Sequence, residues 1–563
     1  MDRSHHENKF DRQIRLWGFH GQATLESAHV LVLGSGPIAS EFIKNLILAN
    51  VAEFTIMDDS TVSLYDVGNN FFISSSSVGK DRGAVVASLL SELNLDCAVK
   101  HIDRNPAEFI KSCGDGLCHS NEDYKSLCQY TIVVATGIHL VDASLLCDIL
   151  FPLKIPLLHI RSFGLIASLR LAISEHAVIE THPENESGDL FLHPSQLIHF
   201  PKLSQLLLSF DLFGSNTDEF VFTHVPFPAI LLQLSNKFAL EKPNVVCTPE
   251  EFKSFISSHN RLNSSNFDEA IRFTHYRTRD PRHHISGDLR DILSDSKASL
   301  TSSEADPFWI LVKALKLFLS NEGHGFLPVS ASLPDMTADT DSYLALKLAY
   351  SEKALADRQS VGKYVKDILL AMNLRSDHVP DLMIDEFVKN CRSIHVSRMR
   401  GISYDVGTFC DETAKAVVCE ALAEEVDSLD QDQDSAICID QDSNRPPNDI
   451  HWYLAIKCAD IFHQKHGYYP GDRGDSIINS DLQALTEIAS TVFKCIGFDP
   501  DNINTSCLEE IVRFGSSSIH NTASLIAGIA AQESLKLITR QYVVFNNTVV
   551  WNGVHATLAR WSL

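Results

Sequence analysis

The chain lacks several features that would settle its class at once. None of its 13 cysteines stands in a Cys-x-x-Cys pair. That excludes the common structural zinc site and fits a reduced, intracellular setting, cytoplasmic with the nucleus open. Lys/Arg-rich runs are missing too, and the formal net charge is −25. Nucleic acid and anionic membrane surfaces are therefore poor partners. No apolar run reaches the roughly 18 residues of a membrane span, and the polar start from Met1 to Gln13 is no secretory signal. Cys113, Cys118, His119 and Cys128 lie near one another. Their irregular spacing reads as a polar surface loop rather than a metal site, so no metal is expected in this chain.

What is present begins with Ala28–Phe42. An apolar, β-branched run meets Gly34-Ser35-Gly36 and then an amphipathic stretch. This is strand, phosphate-type loop and helix, the opening of a Rossmann-like α/β unit. Gly34 and Gly36 would let a backbone approach a pyrophosphate, with helix N–H groups behind them. Pro37 and Ala39 stand where nucleotide loops often carry glycine. Glu53–Met57 reads as a second strand closed by Asp58 and Asp59. An acid at that place either bonds a ribose hydroxyl or is a solvated strand end. Further strands at 98–102, 130–136 and 155–160, alternating with helices, argue a parallel sheet covered on both faces.

From about 187 to 500 the apolar spacing is mostly helical. Thr248-Pro249-Glu250-Glu251 carries a helix-start signal. Residues 424–449 read as an acidic, solvated loop. Near the end, His520–Ile538 reads as a helix with a small-residue stripe, and Val543–Trp551 as a hairpin around Asn546-Asn547. The expected layout is a first α/β part at 1–175, a large helical insertion at 176–500, and a return to the α/β domain at 501–563.

Four stretches carry a resemblance: Asp11–Gly18, the Gly34 loop, Ser77–Arg82 and the Gly528–Lys536 helix. Together they resemble activating enzymes of ubiquitin-like modifiers, whose adenylation domain has the ThiF-type fold. The supporting runs Gly68–Phe72, Thr181–Glu184, Pro307–Lys316, Leu333–Met336 and Val544–Thr548 extend it over nearly the whole chain. The resemblance implies ATP-dependent adenylation of a modifier's C-terminal glycine and its passage to a cysteine. It is closest to a non-catalytic, regulatory subunit of a two-chain enzyme. ATP, magnesium, zinc and the reactive cysteine would then belong to the catalytic partner subunit, which forms the heterodimer and takes the modifier.

Several residues fit that reading. Asn69-Asn70-Phe71 keeps the asparagine of an Asn-Arg-Gln run but not the arginine or glutamine, so Asn69 is a remnant. Arg82 stands at the phosphate lysine, a poor replacement for a point charge. Thr136–His139 offers no aspartate for magnesium. Gly34, Gly36, Asp58 and Asn69 thus make up a pseudo-active site. Cys247-Thr248 looks like a catalytic dipeptide but lacks its surroundings and reads as incidental. Resemblance places one active role on Arg12, carried in trans to the partner's ATP; the plainer reading has Arg12 and Arg15 pairing with surface acids. Arg15, Pro334, Asp335 and Met336 are candidate partner contacts, although an ordered loop would read the same at 333–339. The competing functions are the shorter subunit for the SUMO modifier, a self-sufficient adenylating enzyme using Cys247, an NAD-dependent dehydrogenase, and a pure scaffold.

Overall fold

A computed structural model describes residues 9–114, 121–184, 188–214, 218–243, 248–281, 285–299, 306–408, 411–433 and 448–563. Cys118, His119, Cys247 and residues 434–447 of the expected 424–449 loop lie outside them; the start of that stretch, 424–433, is the end of the helix Glu412–Gln433 rather than loop. The chain forms two compact units, one of Met1–His176 with Ser397–Leu563, the other of Ala177–Val396.

Its strands are β1 (His29–Leu33), β2 (Glu53–Met57), β3 (Ala98–Ile102), β4 (Ile132–Thr136), β5 (Leu157–Phe163), β6 (Ile166–Ala172), β7 (His176–Val178), β8 (His395–Ser397), β9 (Thr548–Asn552) and β10 (Thr557–Trp561). Eight of them form one sheet, in the order β10-β9-β6-β5-β4-β1-β2-β3. The run from β3 to β5 is parallel, and β6, β9 and β10 continue it antiparallel. Val30 to Leu33 and Ile132 to Ala135 are fully buried, as a parallel strand covered on both faces requires.

One face is covered by the helices Pro37–Leu48 and His520–Thr539. Phe42, Ile43 and Leu46 of the first share a core with Ala523, Ala527 and Ala530 of the second; the alanines let the two backbones come close. The helices Ile450–His466, Ile478–Ile496 and Thr505–Phe514 pack on Phe163, Ile166 and Val550. The sheet's own unit therefore resumes at Ser397 rather than after residue 500, because these helices bury their apolar faces against β5, β6 and β9.

The second unit is helical apart from short strand pieces at its ends. Its two cores center on Phe227, Phe252 and Phe267, and on Phe308, Leu311 and Phe387. The Thr248 start signal is realised in full: Glu251 N–H donates to Thr248 Oγ1 at 3.2 Å, and Thr248 N–H to Glu251 Oε2 at 3.1 Å.

The expected hairpin around Asn546-Asn547 is displaced. The antiparallel pair is β9 with β10, turned by Asn552, whose Oδ1 accepts from Val554 and His555 N–H. Val543–Phe545 bonds instead to the preceding helix, through Lys536 Nζ to Val543 O and Phe545 N–H to Glu533 Oε2. Asn547 is buried, with its side chain on the Leu563 backbone.

Candidate functional site: a glycine-loop cavity and an exposed lead helix

The turn after β1 has two glycines with different reasons to be there. Gly34 has φ +95°, and a Cβ on it would lie 2.6 Å from the Thr136 carbonyl oxygen. Only glycine suits that place. Gly36 has φ −70° and precedes the helix Pro37–Leu48, and a Cβ there would meet nothing within 4 Å. Gly36 borders open space, a cavity of about 280 Å³ lined also by Gly34, Asp58, Asp59, Arg82 and Asp142.

Arg82 governs the chemistry of this cavity. It opens the helix Arg82–Ser91 and reaches back over the loop. Its Nη2 donates to Asp58 Oδ2 at 2.9 Å, its Nη1 to Asp66 Oδ1 at 3.1 Å, and its Nε to Ser35 Oγ at 3.0 Å. Ser35 in turn donates to Asp58. Burial would raise the Asp58 carboxyl, but Arg82 and the Ser35 and Ser60 donors outweigh it and hold it below the usual range. Asp66 is lowered against the same burial by Ser63 and Arg82. Burial would lower the guanidinium, yet the two carboxylates leave it raised. The fork is thus consumed inside the protein, one cation between two acids.

That arrangement is unfavourable to phosphate. Asp58, Asp59 and Asp142 line the cavity, and its only lysine or arginine among the described residues is committed. Pro37 at the first helical position removes an N–H that an anion would use. Asp142, in the first turn of the helix Leu140–Leu153, is not among the expected residues; it is the third residue past Thr136–His139, where no motif marks it. Among the described residues, no three metal-ligating atoms converge here.

The other expected residues are dispersed. Asn69 donates to Tyr65 O within its own short helix. The asparagine turned toward the loop helix is Asn70, which is buried and donates to Ser40 Oγ at 2.9 Å. In the second unit, Leu333 and Met336 pack against a core, Pro334 is half-buried and Asp335 is exposed. Thr337 holds this loop through Glu269, at 2.9 Å from its N–H. Burial pushes the thiols of Cys97, Cys113 and Cys458 up to about 12, which makes them inert as nucleophiles.

The lead segment forms the helix Asp11–Leu25, broken at Gly18, where φ is +71°. It is fastened at two points before that break: Gln13 Nε2 donates to Leu48 O, and Gln541 Nε2 donates to Trp17 O at 2.8 Å. Arg15 pairs with Asp11 one turn away. Arg12 is exposed and makes no ion pair or hydrogen bond among the described residues.

Comparison with known proteins gives the family. The model of the ThiF family matches residues 10–187. The NEDD8-activating enzyme E1 regulatory subunit of Xenopus laevis is 31% identical over 99% of this chain and 98% of its own length. The subunit AXR1 of Arabidopsis thaliana is 31% identical over 97% of this chain and 95% of its own length. Among solved structures, the tRNA N6-threonylcarbamoyladenosine dehydratase TcdA of E. coli is 21% identical over 28% of this chain and 62% of that one, with a TM-score of 0.24, too low to carry further argument. The sheet with its glycine loop is the ThiF fold, and by identity and length the chain belongs to the family of NEDD8-activating enzyme E1 regulatory subunits.

Proposed function

We propose that this chain is the non-catalytic subunit of a heterodimeric activating enzyme for the ubiquitin-like modifier NEDD8. It supports ATP-dependent adenylation of the modifier's C-terminal glycine, and the transfer of that glycine to a cysteine, both performed on the catalytic partner subunit. ATP, magnesium and zinc reside in the partner, and this chain holds none of them. Its place of action is the cytoplasm and nucleus.

The observation that carries the non-catalytic reading is the Arg82 clamp. A phosphate site needs free cations, and here the guanidinium is spent on Asp58 and Asp66. Arg12 is the opposite case, an unspent guanidinium on a fastened helix. Its part is to stabilise phosphate charge at the partner's ATP, as an arginine finger does.

Reconstitution tests both halves. With catalytic partner, NEDD8, ATP and magnesium, pyrophosphate exchange into ATP requires both chains, and this chain alone supports none. Exchange by this chain alone overturns the assignment. Arg12→Ala without effect in the pair removes the trans role and leaves a scaffold.

A further inference from the structure

The lead helix has two arms, before and after the break at Gly18. The second, residues 19–25, is rooted in the sheet's own unit, with Gly21, Gln22 and Leu25 buried. In the first, residues 11–17, no residue is buried, and Asp11, Arg12, Arg15 and Leu16 are exposed. So short a helix has no stability of its own in water. The direction in which Arg12 points is therefore set by whatever ties this arm down.

The ties are unequal. Phe10, just ahead of the arm, is buried. Lys9 meets Asp96 at 2.9 Å, and Gln13 Nε2 meets Leu48 O at 3.3 Å, both at the exposed surface, where water competes for each group. At the other end Trp17 packs against the sheet core and donates from Nε1 to Gln22 Oε1 at 3.1 Å. The buried polar tie at that end is Gln541, 1% exposed.

Gln541 Nε2 donates to Trp17 O and to His20 Nε2, each at 2.8 Å. An amide nitrogen only donates, so the imidazole nitrogen accepts. The two acceptors lie on opposite sides of Gly18, and one side chain thus spans the break. Gln541 is itself held: it follows the helix His520–Thr539, and its N–H donates to Lys536 O at 3.3 Å.

Gly21 leaves room for this clamp. It is not among the glycines of positive φ, so its place is explained by close approach. A Cβ on it would lie 2.9 Å from Trp17 Cβ and 3.2 Å from Gln541 Nε2. A methyl group there would push the indole and the amide out of their present positions.

We propose that Gln541 is a positioning residue for the trans reaction: by clamping Trp17 and His20 across the Gly18 break, it fixes the direction in which the arm presents Arg12 to the partner's ATP. The proposal rests on the reading of Arg12 given above and adds to it the residue through which the body of this chain controls that arginine.

Pyrophosphate exchange by the reconstituted heterodimer, with NEDD8, ATP and magnesium, tests it as a double-mutant cycle. Gln541→Met keeps the length of the side chain and removes both donors. It should lower kcat on the order of 10²-fold, the cost of misplacing a reacting group by about 1 Å, with KM for ATP and for NEDD8 unchanged. Added to Arg12→Ala, it should lower kcat no further, because a residue that acts through Arg12 then has nothing left to position. A residue that only stabilised the fold would cost the same factor in both backgrounds. Gly21→Ala, which crowds the clamp from the other side, should repeat the pattern, and it decides if Gln541→Met does not fold. The proposal is overturned if Gln541→Met leaves kcat unchanged while Arg12→Ala lowers it, or if the loss is equal in both backgrounds. Arg12→Ala without effect overturns the trans reading itself, and this inference with it.

Discussion

Two arginines of one unit have opposite fates. Arg82 lies over the glycine loop, largely buried, its fork divided among Asp58, Asp66 and Ser35. Arg12 stands on the lead helix, exposed and unpaired among the described residues. Residue type is the same, so the difference comes from surroundings: a guanidinium between buried carboxylates is part of the fold, and one on an exposed face keeps its fork free. The glycine loop has the backbone turn of a phosphate-type loop, and the arginine beside it is paired within the protein.

The comparison can be broken most sharply at Arg12. Arg12→Ala in the reconstituted pair should reduce adenylation on the order of 10³-fold, the scale of an arginine finger. It should leave the melting temperature of this chain within error, since exposed substitutions cost little. Arg82→Ala should do the reverse. Leaving buried carboxylates without their cation costs about 3–5 kcal/mol, read as a lower denaturant midpoint, and adenylation by the folded fraction should persist. If Arg82→Ala abolished adenylation without destabilising the chain, the two arginines would have to exchange roles.

The glycines sharpen the contrast on a smaller scale. Gly34→Ala forces a side chain into φ +95° and against Thr136, a strain of about 1–3 kcal/mol. Gly36→Ala should change stability by no more than about 0.5 kcal/mol, since its Cβ enters open space. A pH titration gives the last test. The folded Asp58 and Asp66 carboxyls are lowered, so their contribution is full above the unfolded value of about 4 and is lost as pH falls through the lower folded values. Acid unfolding of Arg82→Ala should show a shallower limb there.

Much of the sheet is legible before any coordinates. β1, β2 and β4 announce themselves as short apolar β-branched runs, because a strand buried on both faces has no polar side to interrupt it. The glycine loop and the Thr248 cap are legible because their chemistry is local. What fails is long-range. Val543–Phe545 has strand composition, yet Glu533 and Lys536 of the preceding helix take its hydrogen bonds. The helices between 412 and 514 look like any helical insertion until Phe163 and Val550 show which sheet they cover. At the site, Gly34, Gly36, Asp58 and Arg82 are legible as positions, but the second acid of the clamp, Asp66, is not. Choosing Asn70 over Asn69 required knowing which one faces Ser40. Trp17 and Gln541, far apart in the chain, meet only in the fold.

The order of the central sheet has a consequence in time. β6 pairs with β5 on one side and with β9 on the other, while residues 173–547 are made between them. At ribosomal rates that interval is on the order of tens of seconds. Throughout it the outer edge of β6 is an open template for other strands. Gln541, which ties down Trp17 of the lead, is made 524 residues after it. The nascent chain therefore carries an uncapped edge and a loose first helix until residues 541–552 arrive, and truncation before residue 548 should yield aggregates rather than a smaller folded protein.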